Sequence, residues 1–174
     1  MKKLFAILLV VAMLLALAGC AGGETSSDNP SNNSNASVSS SDADPIRIGI
    51  WTSLTGASAI EGELIENGAR LAAAQWNAKG GINGRQIDFV VYDDQSTTEG
   101  AVTATTRLIE NDKVDAIIGS NLSNSIVATA SLIEEAGIPF VGSGTGTAWT
   151  KCGYHYIFRG TVVNSFMNEG FVRV

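Results

Sequence analysis

The sequence is poor in the residues that build disulfides, metal sites and general acid–base centres. Its 174 residues include 2 cysteines, 1 histidine and 3 prolines. Two cysteines give no disulfide framework, and neither a CxxC pair nor a Cys/His spacing typical of zinc is present. The single histidine, His155, has no nucleophile at a recognisable spacing, and we expect it at the surface. These absences argue against an enzyme, and we expect neither a metal nor a cofactor.

Clustered positive charge is also missing. The chain carries 11 Lys and Arg against 17 Asp and Glu, and no basic run follows Lys3. Nucleic-acid binding needs clustered Lys and Arg to neutralise phosphates. The acidic balance therefore argues against nucleic acid as a partner.

The first 19 residues have the features of an export signal. Two lysines precede an apolar run, Leu4 to Leu17, which is short for a membrane span of about 20 residues. The sequence Leu-Ala-Gly-Cys that ends at Cys20 resembles the lipobox of bacterial lipoproteins, in which the signal is cut before an acylated cysteine. We therefore expect residues 1–19 to be a lipoprotein signal peptide, with lipid on Cys20 anchoring the protein to the outer face of the cytoplasmic membrane. An ordinary secretory signal and an uncut membrane anchor are the alternatives.

A polar segment, residues 20–45, separates this signal from the folded part. It consists mainly of Ser, Asn, Gly and Asp. Such a composition buries too little apolar surface to offset the entropy lost on ordering. We expect a disordered, lipid-anchored tether.

From residue 46 to residue 174, apolar strands alternate with helical patterns. The order β-α-β-α with short connections predicts an α/β fold, a Rossmann-like parallel sheet with right-handed crossovers and helices on both faces. The predicted strands are Ile46–Trp51, Gln86–Tyr92, Val114–Gly119, Ile138–Val141 and Tyr154–Arg159. The predicted helices are Glu61–Lys79, a second that opens with a capping box at Ser96–Glu99, a third at about Ile126–Ala136, and the start of another at Asn164–Val174.

Periodicity assigns an inner face to the first two helices. Ile65, Ala69, Ala72 and Trp76 recur at i, i+4, i+7 and i+11 and predict the buried side of the first. Ala101, Thr105 and Leu108 predict that of the second.

Small polar loops follow the first, third and fourth strands. Ligands bind at the carboxyl edge of a parallel sheet, where these loops emerge. Ser123 precedes the third helix, where free N–H groups and the helix dipole favour an anion. Ser53 and the GSGTGT loop of residues 142–147 add hydroxyl and N–H donors. We predict a small-ligand site here, although capping and turn formation alone also explain such residues.

Two other interpretations of the loops are weaker. The adjacent carboxylates Asp93 and Asp94 suggest a metal or an acid–base pair, but a polar loop ahead of a helix accounts for them equally well. The glycines at 142, 144 and 146 are spaced G-x-G-x-G, which departs from the dinucleotide pattern G-x-G-x-x-G, and residues 160–168 contain no acid. A nucleotide-binding Rossmann enzyme is therefore only an alternative.

Several motifs resemble the leucine/isoleucine/valine-binding family, the type I solute-binding proteins of branched-chain amino-acid ABC transporters. They are Leu54-Thr55-Gly56, the run Asn-Ala-Lys-Gly-Gly-Ile-Asn-Gly at 77–84, Tyr92-Asp93-Asp94, Ala136-Gly137-Ile138-Pro139 and Phe158-Arg159. The resemblance implies the N-terminal lobe of a type I periplasmic binding protein fold, with residues 46–174 incomplete and the second lobe absent. It also implies that a branched-chain or related amino acid binds between two lobes and is delivered to an ABC permease. A ligand-sensing domain of a signalling receptor has the same fold and stays an alternative.

The resemblance also assigns ligand-binding residues. It implies that Ser123 contacts the amino-acid head group, that Leu122 lines the pocket, and that Gly144, Thr145 and Gly146 complete the site. Gly146 stands where branched-chain amino-acid binders place a Thr, and the cysteine pair of classical members is absent. Both departures leave the identity of the ligand open.

Overall fold

The computed structural model describes residues 43–166, which lie in one compact unit. The predicted signal peptide, Cys20 and nearly all of the predicted tether lie outside the described residues, as does most of the predicted helix Asn164–Val174. Within residues 43–166, no helix is both long and apolar enough to cross a bilayer.

Strands and helices alternate along the described residues. The strands are β1 (Ile46–Thr52), β2 (Ile87–Asp93), β3 (Ala116–Ile118), β4 (Phe140–Gly142) and β5 (Ile157–Arg159). The helices are α1 (Ala59–Asn77), α2 (Thr98–Arg107) and α3 (Ser123–Ala136), with a π-helical turn at Leu108–Asp112 and a 3₁₀ turn at Ala148–Thr150. The predicted order, including the fifth strand, is confirmed.

All strand pairs are parallel, in the order β2-β1-β3-β4-β5. From β1 the chain passes to β2 on one side and later to β3 on the other. The direction of winding therefore reverses between β1 and β3. In parallel α/β sheets a crevice opens beyond the carboxyl ends of the strands at such a point, and ligands bind there.

The core lies on the sheet face covered by α2 and α3. Gly49, Ile117, Phe140 and Ile157 are in register and share this face. Trp51 stacks on Phe140 with ring centroids 5.8 Å apart. The predicted inner face of α2 is confirmed, because Ala101, Thr105 and Leu108 are fully buried.

The other sheet face is covered by α1 above β1 and β2. Its buried residues are Gly62 and Ala73, and the predicted inner residues Ile65 and Ala69 are half-buried. A Cβ at Gly62 would lie 1.8 Å from the Ser53 carbonyl oxygen, so only glycine permits this approach. The predicted inner face is wrong for Ala72, which is exposed, and for Trp76, which is 52% exposed. The residues of α1 that are buried have the smallest side chains. The periodicity of the sequence identifies apolar residues of any size, so it did not find them.

Four further expectations are corrected by the structure. The N-cap of α2 is Thr97, whose side chain accepts a hydrogen bond from the Gly100 N–H, so the predicted capping box starting at Ser96 does not form. Ser96 instead has φ +57° and joins the preceding loop. The third helix begins at Ser123 and not at Ile126, and α1 spans Ala59–Asn77. The strands β3, β4 and β5 are each three residues long and shorter than predicted.

The run at residues 77–84 fixes the end of α1 to β2. The Asn77 amide accepts from the Ile87 N–H at 2.8 Å and donates to the Ile87 carbonyl at 2.9 Å. Gly81 has φ +80°, and a Cβ there would lie 2.0 Å from the Arg85 carbonyl oxygen. The glycine permits the tight turn. The Asn77 amide makes the pair of backbone hydrogen bonds to Ile87 that a neighbouring strand would otherwise make.

Candidate functional site

The loop after β1 is held by two carboxylates, those of Asp93 at the end of β2 and of Asp94 directly after it. The buried Ser53 hydroxyl donates to Asp94 Oδ1 at 2.6 Å, and the Ser96 N–H donates to the same oxygen at 2.8 Å. The Ser53 hydroxyl is therefore engaged with the protein itself. A contact between Ser53 and a ligand stays a prediction.

Asp93 binds the same loop from its other side. It accepts from the Thr55 hydroxyl at 2.6 Å and from the N–H groups of Leu54, Thr55 and Gln95. Partial burial raises the pKa of Asp93, but these hydrogen bonds outweigh burial and leave the pKa below its ordinary value. Within residues 43–166, no cluster of three or more His, Cys, Asp or Glu side chains could hold a metal. The structure therefore supports the loop-forming interpretation of Asp93 and Asp94.

The loop after β3 leaves the start of α3 open. The buried Ser120 hydroxyl accepts from the Leu122 N–H at 3.1 Å, which sets the turn into the helix. No side chain caps this helix at its N-cap, Leu122. Free N–H groups at a helix N-terminus and the helix dipole attract an anion. The helix start at Ser123 is therefore uncapped by a side chain, and anion binding there stays a prediction.

Ser123 joins the loop after β3 to the loop after β4. Its hydroxyl oxygen accepts from the Gly146 N–H at 2.9 Å, while its own proton can still be donated. A Cβ at Gly144 or Gly146 would lie 2.8 or 2.9 Å from this oxygen. The two loops are therefore too close to leave room for a side chain at position 146. This accounts for a glycine, and not a threonine, at this position.

Arg159, the last residue of β5, binds the loop after β4. Its guanidinium donates to the carbonyl oxygens of Gly144 and Gly146 and to the Thr150 hydroxyl at 3.1 Å. It also lies 4.1 Å from the centroid of the Trp149 ring. Desolvation by burial lowers the pKa of Arg159. The sequence placed Arg159 in a motif without a role, and only the return of β5 beside β4 reveals one.

Two buried hydroxyls at this edge have no partner within residues 43–166. They belong to Thr52, at the end of β1, and Ser143, after β4.

A cavity of about 260 Å³ opens beside Ser123. It is lined by Ser96, Thr98, Leu122, Ser123, Asn124 and Ser125. The cavity brings together the predicted residues Leu122 and Ser123, whereas the predicted residues Gly144 and Gly146 do not line it. Thr145, which is half-buried in the loop after β4, and Ser53 do not line the cavity either. His155 is exposed as predicted, with Nδ1 3.0 Å from Glu134.

Comparison with known proteins decides the family. The model for periplasmic binding proteins matches residues 45–168. The chain belongs to the periplasmic binding protein family. Relatives include the leucine-specific-binding protein of Salmonella typhimurium, 36% identical over 118 residues, which are 67% of this chain and 32% of that protein. The Leu/Ile/Val-binding protein of Escherichia coli K12 is 32% identical over 71% of this chain and 34% of its own length.

Solved structures show the same fold. The branched-chain amino acid transporter substrate binding protein LivJ of Streptococcus pneumoniae, in complex with isoleucine, has a TM-score of 0.67 and 37% identity over 70% of this chain and 35% of its own. An ABC transporter solute binding protein of Rhodopseudomonas palustris, in complex with 3,4-dihydroxybenzoic acid, has a TM-score of 0.61 and 25% identity over 68% of this chain and 32% of its own. The resemblance and the fold class are confirmed, and the chain spans about a third of these proteins.

Proposed function

We propose that this chain contributes the first lobe of an extracytoplasmic substrate-binding lipoprotein of an ABC importer. In this proposal the protein binds a branched-chain or related amino acid and delivers it to the permease. The family and its named transport relatives support the class of function. The open start of α3 at Ser123 is the observation that carries the ligand-binding part.

The proposed contact is with the carboxylate of the ligand. The Ser123 hydroxyl can donate to an anion, and the first turn of α3 adds N–H groups and the positive end of the helix dipole. Isoleucine and dihydroxybenzoic acid, the ligands of two solved relatives, share a carboxylate and differ elsewhere. A carboxylate site of this kind fits both ligands.

Among residues 43–166, no charged side chain that could pair with an amino group lines this cavity. None of the six lining residues is charged, and the nearby carboxylates Asp93 and Asp94 accept hydrogen bonds from the β1 loop and the start of α2. We therefore propose that the ammonium group and the selectivity for the side chain depend on a second lobe. The described lobe alone should bind a free amino acid weakly.

Titration of the 174-residue chain tests this proposal. Calorimetry with leucine, isoleucine and valine should show no micromolar binding, whereas ligand-detected NMR at millimolar isoleucine should show contact. Ser123→Ala should remove this contact, because an unpaired carboxylate loses roughly 1–3 kcal/mol of hydrogen-bond energy. Ser131→Ala, on an exposed site of α3, should leave it unchanged.

Isoleucinamide serves as the matched control ligand because it lacks the carboxylate. Binding of the amide as strong as that of isoleucine would contradict the carboxylate site. Micromolar binding of isoleucine would contradict the dependence on a second lobe and leave the carboxylate site standing.

A further inference from the structure

Arg159 carries a positive charge that is not paired with any carboxylate of residues 43–166. Its side chain is half-buried and takes part in none of the ion pairs among these residues. The guanidinium is bound instead to the carbonyl oxygens of Gly144 and Gly146 and to the Thr150 hydroxyl. Removing a charge from water costs free energy unless hydrogen bonds compensate for it. The compensating hydrogen bonds of Arg159 thus all go to the loop after β4 and the turn that follows it.

The loop after β4 has a backbone that needs to be held. Every second residue from 142 to 146 is glycine, which lacks the Cβ that restricts the backbone of other residues. The hydrogen bond from Gly146 to Ser123 fixes one N–H group of this loop. Arg159 fixes the carbonyl groups of Gly144 and Gly146. It therefore sets the orientation of the two peptide planes that follow these glycines.

The bound carbonyl groups also fix the direction of two N–H groups. In a trans peptide the C=O and N–H bonds point in opposite directions, and none of the described peptide bonds is cis. The N–H groups of Thr145 and Thr147 therefore point away from the guanidinium of Arg159. Neither N–H group has a hydrogen-bond acceptor within residues 43–166. Two free donors with a fixed direction thus lie in the loop that is joined to Ser123.

We propose that Arg159 is a positioning residue of the carboxylate site and turns the N–H groups of Thr145 and Thr147 towards the ligand. This inference rests on the proposed function, because the ligand is the carboxylate that Ser123 is proposed to bind. Oriented backbone N–H groups bind anions without a charged side chain at the contact. The guanidinium itself contacts the loop and not the ligand. Its planar fork holds two carbonyl groups at once, a geometry that the single ammonium group of lysine does not reproduce.

Amide NMR of the ¹⁵N-labelled 174-residue chain tests the two donors. Millimolar isoleucine should shift the N–H signals of Thr145 and Thr147 together with those of the first turn of α3. Isoleucinamide, which lacks the carboxylate, should shift neither set. Shifts in the first turn of α3 alone would overturn the inference and leave the carboxylate site at Ser123 standing. The absence of shifts in both sets would contradict the inference and the proposed function together.

Arg159→Met tests the positioning role. Methionine keeps an unbranched side chain over the Trp149 ring but has no donors. At equal isoleucine concentration, the shifts of Thr145 and Thr147 should fall several-fold relative to those of the first turn of α3. A general loss of folded protein would lower both sets alike, so an unchanged ratio would overturn the proposal. Arg107→Met, at a residue that lies over the Tyr92 ring of β2, is the matched control and should leave the ratio unchanged.

Arg159→Lys separates the geometry of the guanidinium from its charge. Lysine keeps the positive charge but not the fork, so the ratio of shifts should fall as in Arg159→Met. An unchanged ratio in Arg159→Lys would show that the charge alone is sufficient and would overturn the positioning role. The unsubstituted chain and Arg159→Lys decide the question even if Arg159→Met does not fold.

Discussion

At the scale of single residues, Ser123, Gly146 and Arg159 form one connected unit. Ser123 accepts from the N–H of Gly146, and Arg159 binds the carbonyl of the same glycine. The sequence predicted Ser123 and Gly146 as ligand contacts through the family resemblance. It could not predict their hydrogen bond or the role of Arg159, because these contacts join residues 13 and 23 positions apart and depend on how β5 and the loops after β3 and β4 meet.

Gly146→Ala should destabilise the fold. The added Cβ would lie 2.9 Å from Ser123 Oγ and 3.0 Å from Ser123 Cβ, so one loop must move and the shared hydrogen bond weakens. We expect a loss of about 1–3 kcal/mol in the free energy of unfolding, measured in urea. Gly68→Ala is the matched control: it lies in open space on α1 and should stabilise by about 0.5–1 kcal/mol. Equal effects at both glycines would contradict the contact.

The carboxylate of Asp93 should make stability depend on pH. Its pKa in the folded protein lies below the ordinary value of 3.8, so its contribution is present above that value and is lost as the pH falls through the lower, folded pKa. Asp93→Asn should therefore reduce stability at neutral pH and flatten the loss of stability below pH 3.8. Urea unfolding across this range measures both effects. Asp88→Asn, exposed on the same strand, is the control. The assignment would be contradicted if the Asp93→Asn protein lost stability below pH 3.8 as steeply as the unsubstituted protein does.

At the scale of elements, the sequence predicted the order and type of the strands and helices but not their contact faces. Alternation of apolar segments with Gly-rich turns is local information and was sufficient for the β-α-β order. The face of α1 was not predictable because Gly62, which makes the closest approach, carries no hydrophobic signal. The cap of α2 was misassigned because Ser96 and Thr97 both satisfy the local pattern, and the β1 loop takes up Ser96.

Thr97→Ala should shorten or destabilise α2. The Thr97 hydroxyl oxygen accepts from the Gly100 N–H at 2.9 Å, and alanine leaves that N–H without its cap. We expect a cost of about 0.5–2 kcal/mol in the free energy of unfolding. Thr98→Ala, at the first residue of the helix, is the control and should cost less. Equal losses would show that Thr97 does not act as the cap.

At the scale of the whole molecule, the two faces of the sheet are unequally covered. Two helices cover one face, whereas α1 covers the other only above β1 and β2. On the second face Ile50 is fully buried, but Val141 and Phe158, which continue its row across the sheet, are 43% and 51% exposed. No described element covers them. This open face accompanies the finding that the chain spans about a third of its relatives.

The proposed lipid anchor on Cys20 predicts that the exported protein is found in the membrane fraction. If Cys20 carries lipid, the exported protein should incorporate radiolabelled palmitate and sediment with membranes. Cys20→Ser should abolish the label, because the acylated thiol is absent. Cys152→Ser, at the exposed second cysteine, is the matched control and should keep it. Palmitate on the Cys20→Ser protein would contradict lipid attachment at this residue.

The bond between Ser123 and Gly146 has a consequence for the timing of ligand capture. Because a hydrogen bond within the protein joins the loops after β3 and β4, this half of the proposed carboxylate site is preorganised, and little conformational entropy should be lost when a carboxylate binds. Encounter with this lobe should then follow diffusion, without a preceding slow rearrangement. Differences in affinity among carboxylate ligands should appear mainly in how long each stays bound.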